Sequence, residues 1–128
     1  MMRSSTVLAR ARKLCLSLPD TEETITWGKP HFRVAGKIFC GFGEESGRTV
    51  LGFKLAKPHA ALIVSRPTFW PAPYVGRHGW VSMDASGVDH WDEVRDLLLE
   101  SYQLIAPKAS LAKLAAGDSP RAARRRKS

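Results

Sequence analysis

Thr24-Ile-Thr-Trp-Gly-Lys-Pro-His-Phe-Arg-Val-Ala-Gly-Lys-Ile-Phe-Cys-Gly-Phe42 is the stretch whose reading decides the fold. Phe32-Arg33-Val34 and Lys37-Ile38-Phe39 are strand-like runs joined by Ala35-Gly36, with glycine where a tight turn needs positive φ. A two-residue turn pairs Val34 with Lys37, Arg33 with Ile38 and Phe32 with Phe39. One face of the predicted hairpin carries Phe32, Val34 and Phe39; the other carries His31, Arg33, Ile38 and Cys40. Each face mixes apolar bulk with basic or polar groups, as in a hairpin that anchors a sheet and also touches something.

Upstream, Glu23 to Trp27 alternates as a first strand, and Gly28-Lys29-Pro30 interrupts it before the hairpin. Before that, Ser4, Ser5 or Thr6 caps a helix with Val7, Ala11, Leu14 and Leu18 on one stripe, ending before Pro19. Downstream, Gly43 to Gly47 reads as a polar hairpin loop and Arg48 to Lys54 as a strand. A short helix fits Pro58 to Ser65, since Pro58 suits a first helical turn and Pro67 disfavours helical geometry at Arg66. Phe69 to Gly79 reads as a loop, and Trp80 to Asp84 as the last strand. Asp89 is placed to cap a long helix with Trp91, Val94, Leu98, Tyr102 and Ile105 on its stripe, followed by a short helix over 108–116.

The order implies an α+β two-layer domain: an antiparallel sheet of about five strands with the N- and C-terminal helices packed on one face. Trp27, Phe32, Phe39 and Trp80 are the expected core aromatics. The 128 residues suffice for one domain with its own core. It is assigned to residues 1–116, with 117–128 as a basic arm. That arm holds Arg121, Arg124, Arg125, Arg126 and Lys127 against Asp118, +5 − 1 = +4, half of the net +8. It is too polar to fold alone.

Cys15 and Cys40 form no C-x-x-C and read as buried free thiols in a reducing, cytoplasmic setting. No apolar run approaches the ~18 residues of a membrane span, so no membrane partner is expected. The acid-free first 19 residues fit either a transit peptide or, preferred here, a core helix.

Taken together, several pieces resemble the MmcQ/YjbR family. They are Leu18-Pro19, Trp27 to Val34 with Gly36 to Phe39, Leu51-Gly52-Phe53-Lys54, Tyr74 to Val81, and Ser101-Tyr102 leading into Ala106-Pro107-Lys108. The resemblance runs from about Leu8 to Leu114. It implies a CyaY/frataxin-like α+β fold and a DNA-binding role of the double-wing type, and it supplies no catalytic residues.

Catalytic signals are thin. His31, His59, His78 and His90 form no H-x-x-x-H or H-x-x-E-H pair. Ser101 lacks a nucleophile-elbow setting, and Cys15 lies beside a core stripe. The first helix is basic where a frataxin-type iron site is acidic. No cofactor, metal or catalytic group is therefore expected.

Asp89, Asp92, Glu93, Asp96 and Glu100 on the last helix form either a solvated face or a docking surface for a basic partner. The nucleic-acid candidates are Lys29, His31, Arg33 and Lys37 on the hairpin, Arg77 and His78 in the glycine-rich loop, and Arg124, Arg125 and Arg126 in the arm. The expected function is a small, monomeric, non-enzymatic DNA-binding domain, for duplex or single strands, with weak, salt-dependent affinity. The alternative is a protein- or small-ligand-binding module that uses Trp70, Tyr74 and Trp80 of the aromatic and proline-rich 69–80 segment.

Overall fold

A computed structural model describes residues 3–117. The elements are α1 (Ser4–Leu16), β1 (Thr21–Thr26), β2 (Lys29–Val34), β3 (Lys37–Glu45), β4 (Arg48–Lys54), α2 (Lys57–Ile63), β5 (Phe69–Pro71), β6 (Trp80–Asp84), α3 (Trp91–Ile105) and α4 (Lys108–Ala116). The strands form one antiparallel sheet in the order β1-β2-β3-β4-β6-β5. The α+β expectation holds, with six strands instead of about five. The extra strand is β5, inside the segment read as loop.

Three consecutive hairpins are closed by the same device. Trp27-Gly28, Ala35-Gly36 and Ser46-Gly47 each place both residues at positive φ, the type I′ geometry that matches strand twist. The turn is Trp27-Gly28, so Lys29 and Pro30, read as part of the interruption, already belong to β2. Likewise, the five-residue loop after Phe42 shrinks to two residues, because β3 and β4 stay paired as far as Glu45 and Arg48.

The central hairpin keeps the expected pairs Val34 with Lys37 and Arg33 with Ile38. Beyond them a bulge shifts the register, so that Phe32 faces Cys40 rather than Phe39. The extra residue turns both Phe39 and Cys40 inward, and each is fully buried.

Both long helices pack on the same side of the sheet, where α3 covers β3 and β4 and α1 lies over β1 to β3 and against α3. Tyr102 of α3 meets Phe39 edge-on at 5.5 Å and donates a hydrogen bond to the Pro19 carbonyl at 2.8 Å. Burying aromatic rings of this size contributes about 1.5–3 kcal/mol each. Ser101 inserts its hydroxyl between strands: it donates to the Phe39 carbonyl at 2.6 Å and accepts from the Lys54 amide at 2.9 Å.

No side chain caps α1 or α3, and the N-cap of α3 is His90, not Asp89. Trp27 departs furthest from expectation. It is 88% exposed at a hairpin tip instead of buried. Trp80 is half-buried and belongs to the sheet face away from the helices. Cys15 and Cys40 are free and buried as expected. No described helix is long and apolar enough to cross a membrane.

Candidate nucleic-acid interface

The helices cover one sheet face and leave the other open. Strand register assigns to the open face Glu22, Thr24 and Thr26 of β1, Lys29, His31 and Arg33 of β2, and Ile38, Gly41, Gly43 and Glu45 of β3. Arg48, Val50, Gly52 and Lys54 of β4, Trp80, Ser82 and Asp84 of β6, and Trp70 of β5 complete it. The turns at Trp27-Gly28 and Ser46-Gly47 mark one end of the sheet. Ala35-Gly36, Lys54 and Gly79 mark the other.

The hairpin candidates therefore do not act at one point. Lys29 and Lys37 stand at opposite ends of β2, about 17 Å of strand apart. Arg33 lies between them, braced by neutral acceptors only. Its Nε donates to Thr24 Oγ1 at 3.1 Å, Nη2 to Thr26 Oγ1 at 3.1 Å, and Nη1 to the Gly36 carbonyl at 2.8 Å. The guanidinium is held rigid and its charge is left unneutralised.

His31 Nδ1–H donates to the Lys29 carbonyl at 2.9 Å, so the neutral ring presents Nε2 as an acceptor. The exposed Trp27 ring meets it edge-on at 6.1 Å.

Arg77 and His78 join the Arg33–Lys37 end through Gly79. The Leu55 amide donates to the Gly79 carbonyl at 2.9 Å, and a Cβ at Gly79, whose φ is 92°, would overlap the Leu55 carbonyl oxygen. Only glycine lets the loop approach the end of β4 so closely. Arg77 and His78 are exposed, and Arg77 Nε donates to His78 Nε2 at 3.2 Å.

This brings Arg33 and Lys54 to one end of the open face, with Glu22 as the carboxylate of the face at that end. Lys37, paired with Val34, belongs by register to the helix-covered side, and Arg77 lies at the sheet margin beside Lys57 and Ala60 of α2. Lys54 was missed in the sequence, although the spacing Arg48-x-Val50-x-Gly52-x-Lys54 puts it on the same face. Glu45 and Asp84 lie at the far end. Among the described residues, every ion pair belongs to the helix layer or its margin: Arg12–Glu23, His59–Glu100, Arg66–Glu93, Arg95 with Asp92 and Asp96, and Lys113–Asp20.

The acidic helix is largely occupied by these pairs. Arg66 grips Glu93 through two bonds of 2.8 and 3.0 Å and holds its carboxyl below the ordinary range. Glu100 accepts from the Ala56 amide at 2.9 Å and meets His59 at 2.8 Å, which fixes the start of α2.

The aromatic candidates are dispersed. Trp70 lies half-buried on the open face with the Arg48 guanidinium 4.6 Å above its ring. Trp80 is two strands away from Lys37 beside Lys54, and Tyr74 is 97% exposed at the end of β5. A groove of about 520 Å³ lies elsewhere, between α2 and α3, lined by His59, Leu62, Ile63, Arg66 and Leu97 among others. Among the described residues no cluster of three His, Cys, Asp or Glu could hold a metal ion. Arg124, Arg125 and Arg126 lie outside the described residues.

These features define a class: a two-layer α+β domain with three I′ hairpins and one bare sheet face. More narrowly, the chain belongs to the YjbR family, whose model matches residues 16–104. A Deinococcus radiodurans protein carrying the DUF419 domain is similar over 84% of this chain and 87% of its own, with a TM-score of 0.71 and 19% identity. A Pseudomonas syringae protein is similar over 80% of this chain and 98% of its own, with a TM-score of 0.62 and 18% identity. At such identities the likeness establishes the shared fold alone. No curated protein matches the sequence.

Proposed function

We propose that this domain is a non-enzymatic nucleic-acid-binding module that uses the open sheet face. The observation that carries this reading is the pair Arg33 and Lys54 at one end of that face, with Lys37 and Arg77 at the rim of the same end. None has a carboxylate within ion-pair distance among the described residues, whereas the described ion pairs lie in the helix layer. Fixed cations without internal partners suit phosphates, which neutralise them on binding and release counterions. The double-wing role that the family resemblance implies favours the same class of ligand. The mode differs from a pair of wings in one groove, because the Trp27-Gly28 and Ala35-Gly36 tips point opposite ways.

The test is fluorescence anisotropy with labelled duplex DNA, single-stranded DNA and RNA, on the full chain and on a chain ending at Gly117. That truncation keeps the whole core, which lies between Val7 and Leu114. Arg33→Ala and Lys54→Ala are each expected to weaken binding and to lower the log–log salt slope by about 0.7–0.9. Unchanged affinity in both variants would overturn the proposal.

A further inference from the structure

Two clefts flank α2, and they differ in how their charges are met. In the larger one, between α2 and α3, Arg66 and His59 already engage Glu93 and Glu100. The other, of about 230 Å³, lies between α2 and the loop that runs from Pro71 to Gly79. Lys57, Ala60 and Ala61 of α2 and Val64 at its end, spaced as one helix side, line it opposite Pro71 and Val81. Its charged residues are Lys57 and Arg77, and no carboxylate lines it.

Two cations held in one small cleft repel each other, and apolar walls reduce the screening that water provides. An anion between them relieves that repulsion. Neither Lys57 nor Arg77 has a carboxylate within ion-pair distance among the described residues. The one side-chain bond of Arg77 runs from Nε to His78 Nε2, which leaves both terminal nitrogens free to meet a ligand.

The loop wall is built in advance. The Ala72 amide donates to the Trp80 carbonyl at 3.0 Å, and the Gly76 amide to the Ala72 carbonyl at 2.9 Å. A Cβ at Gly76 would lie 2.9 Å from Pro71 Cβ, so the loop folds onto Pro71 more closely than any other residue allows. That packing fixes the segment bearing Arg77 beside α2.

We infer that this cleft binds a small organic monocarboxylate with an apolar body about the size of a phenyl ring. The body fills the space between α2 and Pro71, and the carboxylate bridges Lys57 and Arg77. Pockets for drug-sized ligands span about 300–1,000 Å³, so the smaller volume here suits one ring with one head group rather than a nucleotide. The site stands apart from the nucleic-acid reading, shares only Arg77 with it, and is tested without nucleic acid.

The experiment titrates the full chain at low salt with benzoate, benzamide and inorganic phosphate, following amide shifts by NMR. Benzoate should shift the amides of Ala61, Gly76 and Gly79 saturably. Benzamide carries the body without the charge and phosphate the charge without the body, so each should bind more weakly by about threefold or more. Ala61→Leu puts a larger apolar side chain into the cleft from an exposed helix position and changes no charge. It should melt with the parent and lose benzoate binding. Lys57→Gln and Arg77→Gln should each weaken benzoate about threefold to tenfold.

No saturable benzoate shift at these amides overturns the proposal. Phosphate binding as tightly as benzoate also overturns it, since surface cations alone would then suffice. Unchanged benzoate affinity in folded Ala61→Leu does the same. Should Ala61→Leu melt early, unchanged affinity in both glutamine variants overturns it instead.

Discussion

Replacing Ser101 by alanine should cost far more than a surface serine. The ladder between β3 and β4 stops at Cys40 opposite Phe53, one pair short of Phe39 and Lys54. Ser101, fully buried on α3, fills the gap with its hydroxyl, accepting from the Lys54 amide and donating to the Phe39 carbonyl. Alanine leaves a donor and an acceptor unpaired. Each orphaned group costs about 1–3 kcal/mol, so a combined loss of roughly 2–4 kcal/mol is expected, allowing for water reaching the half-buried Lys54. For a domain of this size that lowers Tm by about 8–16 °C. Urea titration and thermal melts followed by far-UV circular dichroism measure both quantities, with Gln103→Ala on the exposed side of α3 as the reference. A loss below about 0.5 kcal/mol would refute the reasoning, since the strands would then close the gap without the serine.

Tyr102→Phe should cost about 1–2 kcal/mol by urea titration, because the Pro19 carbonyl loses its 2.8 Å donor inside the core. Trp27→Asn should raise stability by about 0.5–1 kcal/mol, since an exposed tryptophan at φ 51° yields to a residue that tolerates the left-handed region. Stability should fall in acid: Lys113 and Ser110 hold the Asp20 carboxyl below its ordinary range, and Arg12 and Arg66 do so for Glu23 and Glu93. Their contribution is present above the unfolded values of about 3.9–4.3 and is lost as pH drops through the folded ones. In alkali, burial and then the Cys40 thiol push the Cys15 thiol up, so its contribution is full below about pH 8.5 and declines as pH rises beyond it. Thermal melts from pH 2 to 11 should show both limbs.

The sequence discloses the layer order and the helix stripes because periodicity reports burial directly. Val94, Leu98 and Tyr102 are buried on α3 as their spacing requires. It hides the bulge after Ile38, since two adjacent inward residues break the alternation on which strand faces are assigned. Trp27 is misread for a related reason. Tryptophan usually signals core, and only the left-handed backbone at Trp27-Gly28 lifts it out of the sheet. The basic residues are visible individually, but their grouping depends on strand order. Lys37 and Arg77, forty residues apart in the chain, share one end of the sheet because β6 returns beside β4.

The most direct test is a salt titration of the chain ending at Gly117 against single-stranded DNA, with duplex alongside. Six cations, Lys29, Arg33, Lys37, Arg48, Lys54 and Arg77, set a log–log slope no steeper than about −4.2 for a single strand. The prediction is saturable binding at low salt within that limit and a shallower slope for Arg33→Ala. No binding to either ligand at low salt, with the domain still folded, would contradict it.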